Sequence, residues 1–352
     1  MWKPYLCHDT RAWDAYVSSH PELSPFLRYS WSSIIKNSYD HQPYFLALPS
    51  TGSSSVEKFS SILPLIYFHP PDGINRLISL PYLDCAGIFA NDYQSFSELL
   101  NSAFALARDL EVAHVELRQD ALYPLAIHDI KIQGWEHRSF DFKVGLRRFL
   151  PQCSTVLWQQ LGSKVRNQVR KAEKNSCTSQ VGGKELLDSF YQIFGTNMRD
   201  LGSPVHSYDF FIEIFKAFGE SVRIILVERQ GVPLASSIVL TKGNTLYNPW
   251  ASSLRAYRPL CPNMLLYWTM LSWACDQGLS CFDFGRSSPG ASTYTFKKQW
   301  GAESRPLSWE VFSLPGQEWY PEKESLNLKG WNTLTLAESN TIGPKIRRWI
   351  SL

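Results

Sequence analysis

The stretch CFDFGRSSPGASTYTFKKQWG, from Cys281 to Gly301, concentrates groups able to do chemistry. It reads as a short buried strand, a Gly/Ser loop carrying Arg286, and an aromatic-Lys-Lys turn ending at Trp300 and Gly301. A strand end that delivers Asp283, Arg286, Lys297 and Lys298 together suits an anionic substrate. Lys297 follows Phe296, so its ammonium can sit against an apolar wall and stabilise a developing oxyanion or neutralise a leaving group. It also reads as an ordinary surface lysine. Asp283 inside a strand can orient an amine or a cation, or can be a buried carboxylate paired with Arg286.

A second candidate is SKVRNQVRKAEKN, from Ser163 to Asn175. Arg166, Arg170 and Lys174 follow one another at four-residue steps and share a helix face, with Lys171 beside them. Guanidinium forks bind phosphate oxygens in pairs, so this basic face is a candidate phosphate clamp. A solvated basic face is the alternative. SLRAYRPLCPNMLLYW, from Ser253 to Trp268, joins a strand to a long helix. A helix start can cradle phosphate with backbone N–H groups, but this one has no glycine and its two prolines remove donors. Arg255 and Arg258 keep positive charge there. His206 can serve as a general base or be a plain loop histidine. Nothing matches GxSxG, HExxH, a Walker loop or a dinucleotide fingerprint.

The elements that must position these residues follow a repeated plan. Asp9-Thr10 predicts a helix to about His20, and a second covers Pro25 to Lys36. Strands are expected at Tyr44–Leu48 and Ile62–Phe68, split by the turn TGSSS, and at Leu77–Leu80. A helix from Tyr93 to Leu110 and a strand at His114–Arg118 follow. After a helical lead-in at Leu157–Ser176, the second half predicts helices at Leu186–Arg199 and Tyr208–Phe218. Strands follow at Val222–Glu228, Leu234–Thr241 and Thr245–Ala251, then a helix from Asn263 to Gln277 ended by Gly278, and the strand Cys281–Phe284. The same order at similar spacing suggests duplication of a small mixed α/β unit. The expected division is 1–148, 149–315, and a polar linker with a tail helix near Pro344 over 316–352.

Bulk composition agrees with a folded two-domain chain. Of 352 residues, 44% are hydrophobic and 19% charged, which excludes disorder. A net charge of +3 is too weak for bulk DNA or membrane binding, so any basic site is local. The seven cysteines form no CxxC and fit reduced thiols in a cytoplasmic protein. No signal-type or membrane-spanning apolar run is expected, and KIRRWI could touch a membrane surface.

Taken together, VRNQVRKAEK, MRDLGSP, YNPWAS, Leu266–Trp273 and FDFGRSSPGASTYTFKKQWG resemble FemAB-like proteins of the GNAT superfamily. The resemblance is to the group associated with exosortase and exopolysaccharide loci. It covers about 150–310 well and the first half loosely, through LPYLDCAG. It implies two tandem GNAT-like domains, each a mixed, largely antiparallel sheet flanked by helices. The implied activity is acyl or aminoacyl transfer to an envelope or exopolysaccharide precursor, of which peptidoglycan-bridge building is one form. The donor is charged tRNA or acyl-CoA, with no permanently bound cofactor or metal. Work in the cytoplasm is implied, with room for contact at the inner membrane face. Lys297 and Asp283 are then the catalytic candidates. Arg166, Lys171, Arg258, Arg286, Tyr247, Trp250 and Phe296 are the substrate-binding ones. The long helical hairpin of some bridge-building members is absent, and the glycine-free loop departs from ordinary CoA binding. Two other readings stay open: an acyl-CoA-dependent N- or O-acyltransferase of polysaccharide biosynthesis, and a non-catalytic precursor-binding module.

Overall fold

The computed structural model describes residues 6–50, 58–71, 73–120, 131–317, 319–320 and 328–351. The expected turn at 51–55 lies outside them. Helix α1 (Thr10–Ser19) begins as expected because the Asp9 carboxylate accepts the Ala12 N–H. The second helix starts later than expected. Pro25–Leu27 forms a separate 3₁₀ turn, and α2 covers Ser30–Tyr39. Strands β1 (Gln42–Pro49), β2 (Phe59–Phe68), β3 (Arg76–Ile78) and β4 (Phe89–Ala90) lead to α3 (Tyr93–Asp109), capped by Asp92. Then come β5 (His114–Asp120) and β6 (Glu136–Phe140).

The second half opens on β7 (Val144–Phe149). The expected lead-in is two helices, α4 (Ser154–Gln160) and α5 (Ser163–Lys174), divided at Gly162. An unforeseen strand β8 (Cys177–Gly182) precedes α6 (Leu187–Asp200) and α7 (Tyr208–Phe218). Three long strands follow: β9 (Val222–Arg229), β10 (Val232–Lys242) and β11 (Thr245–Ser253). Helix α8 (Pro262–Asp276) ends at Gly278, whose φ of 74° suits glycine, and leads to β12 (Cys281–Ser287). Residues expected as a turn form α9 (Ser292–Gln299), followed by β13 (Glu303–Ser313). The last helix, α10 (Leu336–Arg347), starts at a Thr335/Glu338 capping box, so Pro344 lies inside it rather than at its start.

Two compact units result, and they are not consecutive stretches. One comprises Met1–Lys143, Pro306–Glu324 and Trp349–Leu352; the other comprises Val144–Arg305 and Ser325–Arg348. The expected split after 148 therefore falls inside β7. Residues 306–313 join the first unit, and 316–352 is shared out rather than forming a separate tail.

In unit 1, β1, β2 and β3 pair antiparallel, β3 runs parallel to β5, and β13 pairs antiparallel with β5 and β6. Leu99, Leu100 and Phe104 of α3 cover Val115 and Leu117. In unit 2, β8, β9, β10 and β11 are antiparallel neighbours, β11 runs parallel to β12, and β12 pairs antiparallel with β7. The α8 helix is apolar almost all round, and Leu266, Met270 and Leu271 pack on Phe282 and Val239 in one core. On another side, Phe190, Phe210 and Phe211 form an aromatic cluster reaching Trp250. Each unit thus crosses between its parallel strands through one long helix: β3–α3–β5 and β11–α8–β12. Both are mixed, largely antiparallel sheets flanked by helices, as expected.

Candidate active site

The cleft of unit 2 follows from how its parallel pair ends. The β11/β12 ladder holds only from Thr245↔Cys281 to Tyr247↔Asp283, although β11 continues to Ser253 and β12 to Ser287. Beyond that point the ladder stops, and ligands of open α/β sheets bind outside the carboxyl ends of parallel strands. A cavity of about 690 Å³ lies there, lined by Ala251–Ser253 of β11, Gln168 of α5, Asn197 of α6, Asn263, Met264 and Tyr267 of α8, and Phe296 and Lys297 of α9.

Lys297 is delivered by α9 and is only 9% exposed. Its Nζ donates to the Arg286 carbonyl at 2.7 Å. That carbonyl is aimed by a β-bulge between Asp283 and Arg286, where Gly285 takes a φ of 69°. The helix is anchored by Trp300, fully buried and stacked near Tyr267, with Arg148 donating to its carbonyl. Phe296 meets Tyr267 edge-on at 4.8 Å and gives the cleft its apolar wall. Burial pushes the Tyr267 hydroxyl up to about 12, so it stays protonated and is no base. Asn197 Nδ2 donates to Ser252 Oγ at 3.1 Å and ties α6 to the β11 rim.

Three of the expected site residues meet here: Lys297, Phe296 and Arg258, the last exposed on the approach to α8. The others stand elsewhere. Asp283 is buried beneath the bulge. Its expected partner, Arg286, is replaced by Arg147 directly across the β12/β7 ladder, with Nε to Oδ2 at 2.8 Å, and by Arg305 at 3.3 Å. Its Oδ1 accepts the Gly285 N–H at 2.7 Å. Burial would raise this carboxyl, but Arg305 and Arg147 outweigh it and hold it below the usual range. Asp283 therefore supports the bulge that aims the Arg286 carbonyl, and the lining does not include it. Tyr247 lies under the Arg147 guanidinium at 5.9 Å. Trp250 packs into the Phe210/Phe211 cluster. Arg166 donates to carbonyls of α4, while Lys171 is exposed and outside the lining. His206 is fully buried, accepts from Arg347 Nε at 3.1 Å, and is held far below its usual value by burial and by Arg347.

Gln168, Asn197, Ser252 and Tyr267 were not foreseen, since an uncharged polar residue carries no sequence signal of its own. At the α8 entry, Pro262 has no N–H, and the Met264 and Leu265 amides both point to the Cys261 carbonyl. Few backbone donors are left for a pyrophosphate.

Residues 162–298, which hold this cleft, match the acetyltransferase (GNAT) domain family. The crystal structure of FemX superposes with a TM-score of 0.68 at 16% identity, covering 88% of this chain and 97% of that one. The chain thus shares the fold of FemX and contains a region similar to the GNAT acetyltransferase domain family. A relative from Weissella viridescens, UDP-N-acetylmuramoylpentapeptide-lysine N(6)-alanyltransferase, is 24% identical over 152 residues. That match spans 42% of this chain and 45% of the relative, so less than half of the relative's length is matched. The L-PGS structure from Bacillus licheniformis shares the fold, with a TM-score of 0.56 at 12% identity over 100% of both chains. Among the described residues, no helix is long and apolar enough to cross a membrane.

Proposed function

We propose that the protein transfers an aminoacyl group from an activated ester to an amine on a cell-envelope precursor. The observation that carries this reading is the Lys297 ammonium, fixed by the Arg286 carbonyl inside a cleft lined by neutral polar groups and Arg258. The amine nitrogen attacks the acyl carbon, a C–N bond forms, and the ester C–O bond breaks. The leaving oxygen takes the electron pair, and the proton lost by the amine completes the alcohol. Lys297 stabilises the oxyanion or the leaving oxygen, which is worth about 3 kcal/mol, or roughly 100-fold in rate. No histidine or carboxylate lines the described cleft, so the proton leaves through substrate or solvent.

Charged tRNA is the donor this reading prefers, and no permanently bound cofactor is part of it. The proline-interrupted entry to α8 counts against acyl-CoA. The acceptor belongs to peptidoglycan or exopolysaccharide synthesis. The relative's name makes UDP-N-acetylmuramoyl-pentapeptide the first acceptor to assay. The reaction takes place in the cytoplasm, at or near the inner membrane face.

Native mass spectrometry of the protein with UDP-N-acetylmuramoyl-pentapeptide and with acetyl-CoA, each alone, tests the proposal. A complex with the first and none with the second is expected. CoA binding without precursor binding overturns it in favour of CoA-dependent transfer. Precursor binding with no turnover from any charged tRNA or acyl-CoA leaves a binding module.

A further inference from the structure

In unit 1, strand β5 buries a row of ionisable side chains. His114, Glu116, Arg118 and Asp120 alternate along it and share one face, each at most 3% exposed. A core built for stability alone gains little from this, because burying a charge pair costs desolvation that apolar packing avoids. The row is organised around one guanidinium. Arg118 Nε donates to Glu116 Oε1 at 2.8 Å, its plane lies 4.2 Å over the Trp309 ring, and Nη1 donates to the Leu83 carbonyl at 2.9 Å.

The remaining donors of Arg118 point at a piece of chain distant in sequence. Nη1 donates to the Ser351 carbonyl at 3.0 Å and Nη2 to the Ser351 hydroxyl at 3.1 Å. The Tyr82 N–H donates to the same carbonyl at 2.7 Å. Leu80 and Tyr82 hold left-handed φ values of 60° and 73°, a conformation that side chains of this size rarely adopt. Two residues before Ser351, the Trp349 ring meets His41 at 5.5 Å and Phe68 at 6.3 Å, both edge-on.

The position within the fold matters as much as the contacts. The parallel β3/β5 ladder ends at Ile78↔Glu116, while β5 runs on to Asp120. Ser351 is clasped just beyond, by Arg118 and by the loop that leaves β3. This is the counterpart in unit 1 of the place where the unit 2 cleft opens, beyond the last β11/β12 pair.

We propose that unit 1 carries a second binding site, one for a short peptide segment, and that Trp349–Ser351 fills it in cis as a ligand would. The site reads an aromatic ring in the His41/Phe68 socket. Two residues on, it clasps a carbonyl with one backbone donor and one guanidinium, and the same fork reads a hydroxyl. This assignment is independent of the acyl-transfer reading.

Trp349→Ala in the full chain loosens the occupant and leaves the receptor untouched. Fluorescein-labelled Trp-Ile-Ser amide, followed by anisotropy, is expected to bind this variant at least tenfold more tightly than wild type, whose site is filled. The same peptide with Ala for Trp should lose at least tenfold. A variant that melts cooperatively yet binds no peptide, or binds both peptides equally, overturns the proposal and makes the segment ordinary packing. Should the variant fail to fold, hydrogen exchange on wild type decides. The Tyr82 amide is expected to exchange at least tenfold faster than the β5 amides, through local release of Trp349–Ser351. Exchange of Tyr82 and β5 in one global step overturns the assignment.

Discussion

Replacing Lys297 with Met separates charge from packing at the centre of the cleft. Methionine fills a similar volume and removes only the ammonium. Two effects follow from the structure. The first is on the fold, where the Arg286 carbonyl loses its 2.7 Å donor. A charge-assisted bond contributes about 1.5–3 kcal/mol, partly offset because no ammonium need then be desolvated, so a net loss of about 1–2 kcal/mol is expected. That lowers the melting temperature by only a few degrees, on the order of 2–4 °C per kcal/mol. The second effect is on the barrier. Loss of about 3 kcal/mol of transition-state stabilisation lowers kcat roughly 100-fold. KM should change less than about threefold, because Arg258, Asn197 and Gln168 still line the cleft and ground-state binding is retained. The assay is mass-spectrometric detection of acylated precursor at saturating charged tRNA, with a thermal melt on the same preparation. Lys297→Arg, which keeps the charge in a bulkier group, should recover part of the rate. A Met variant within about threefold of wild-type kcat, with the melt lowered by the few degrees expected, would refute the catalytic reasoning. Lys297 would then be a fixed donor to Arg286 with no part in the reaction.

Asp283→Asn leaves Arg147 and Arg305 without their buried counter-charge and should cost about 3–5 kcal/mol in urea unfolding; a loss under about 1 kcal/mol would contradict the pairing described. Acid should weaken the protein through His114, which burial and then Arg76 lower to about 4, with Glu116 opposing them. An unfolded histidine takes a proton near 6.5 and the folded one resists it, so this stability is full above 6.5 and falls towards 4. Between pH 7 and 5 the loss from His114 is about 2 kcal/mol, and His206 adds to it with the same sign. His114→Gln should flatten the slope measured by urea unfolding across that range, and an unaltered slope counts against this origin. Asn197→Ala removes a rim amide that touches no reacting atom in the proposed scheme. It should weaken precursor binding several-fold by calorimetry while kcat stays near wild type; the opposite split would move Asn197 into the chemistry.

What could be read in the sequence depended on whether its signal was local. Asp9 as a cap, Tyr208–Phe218 as an apolar-faced helix and Gly278 as a stop are decided within a few residues, and all appear as expected. Strands β6 and β8 are polar and largely exposed, so neither showed the apolar alternation that marks a half-buried strand. The α9 helix was missed because STYTFKKQ buries only Lys297 fully, leaving no 3.6-residue apolar stripe to find. Within the site, Lys297, Phe296 and Arg258 were legible as a charge beside a ring and a charge beside a helix start. The Asp283 partners were not, since Arg147 is 136 positions away and reaches it only through strand pairing.

The short β11/β12 ladder divides labour between backbone and side chain. Because the strands part after Tyr247 and Asp283, the opening itself is a property of the sheet and survives side-chain replacement around it. Most of what lines the opening, apart from Ala251–Ser253 of β11, comes from helices α5, α6, α8 and α9 and the approach to α8, where a substitution unpicks no strand pair. A fold of this kind can change the lining of its cleft by substitution on the helices while the sheet that opens the cleft stays the same.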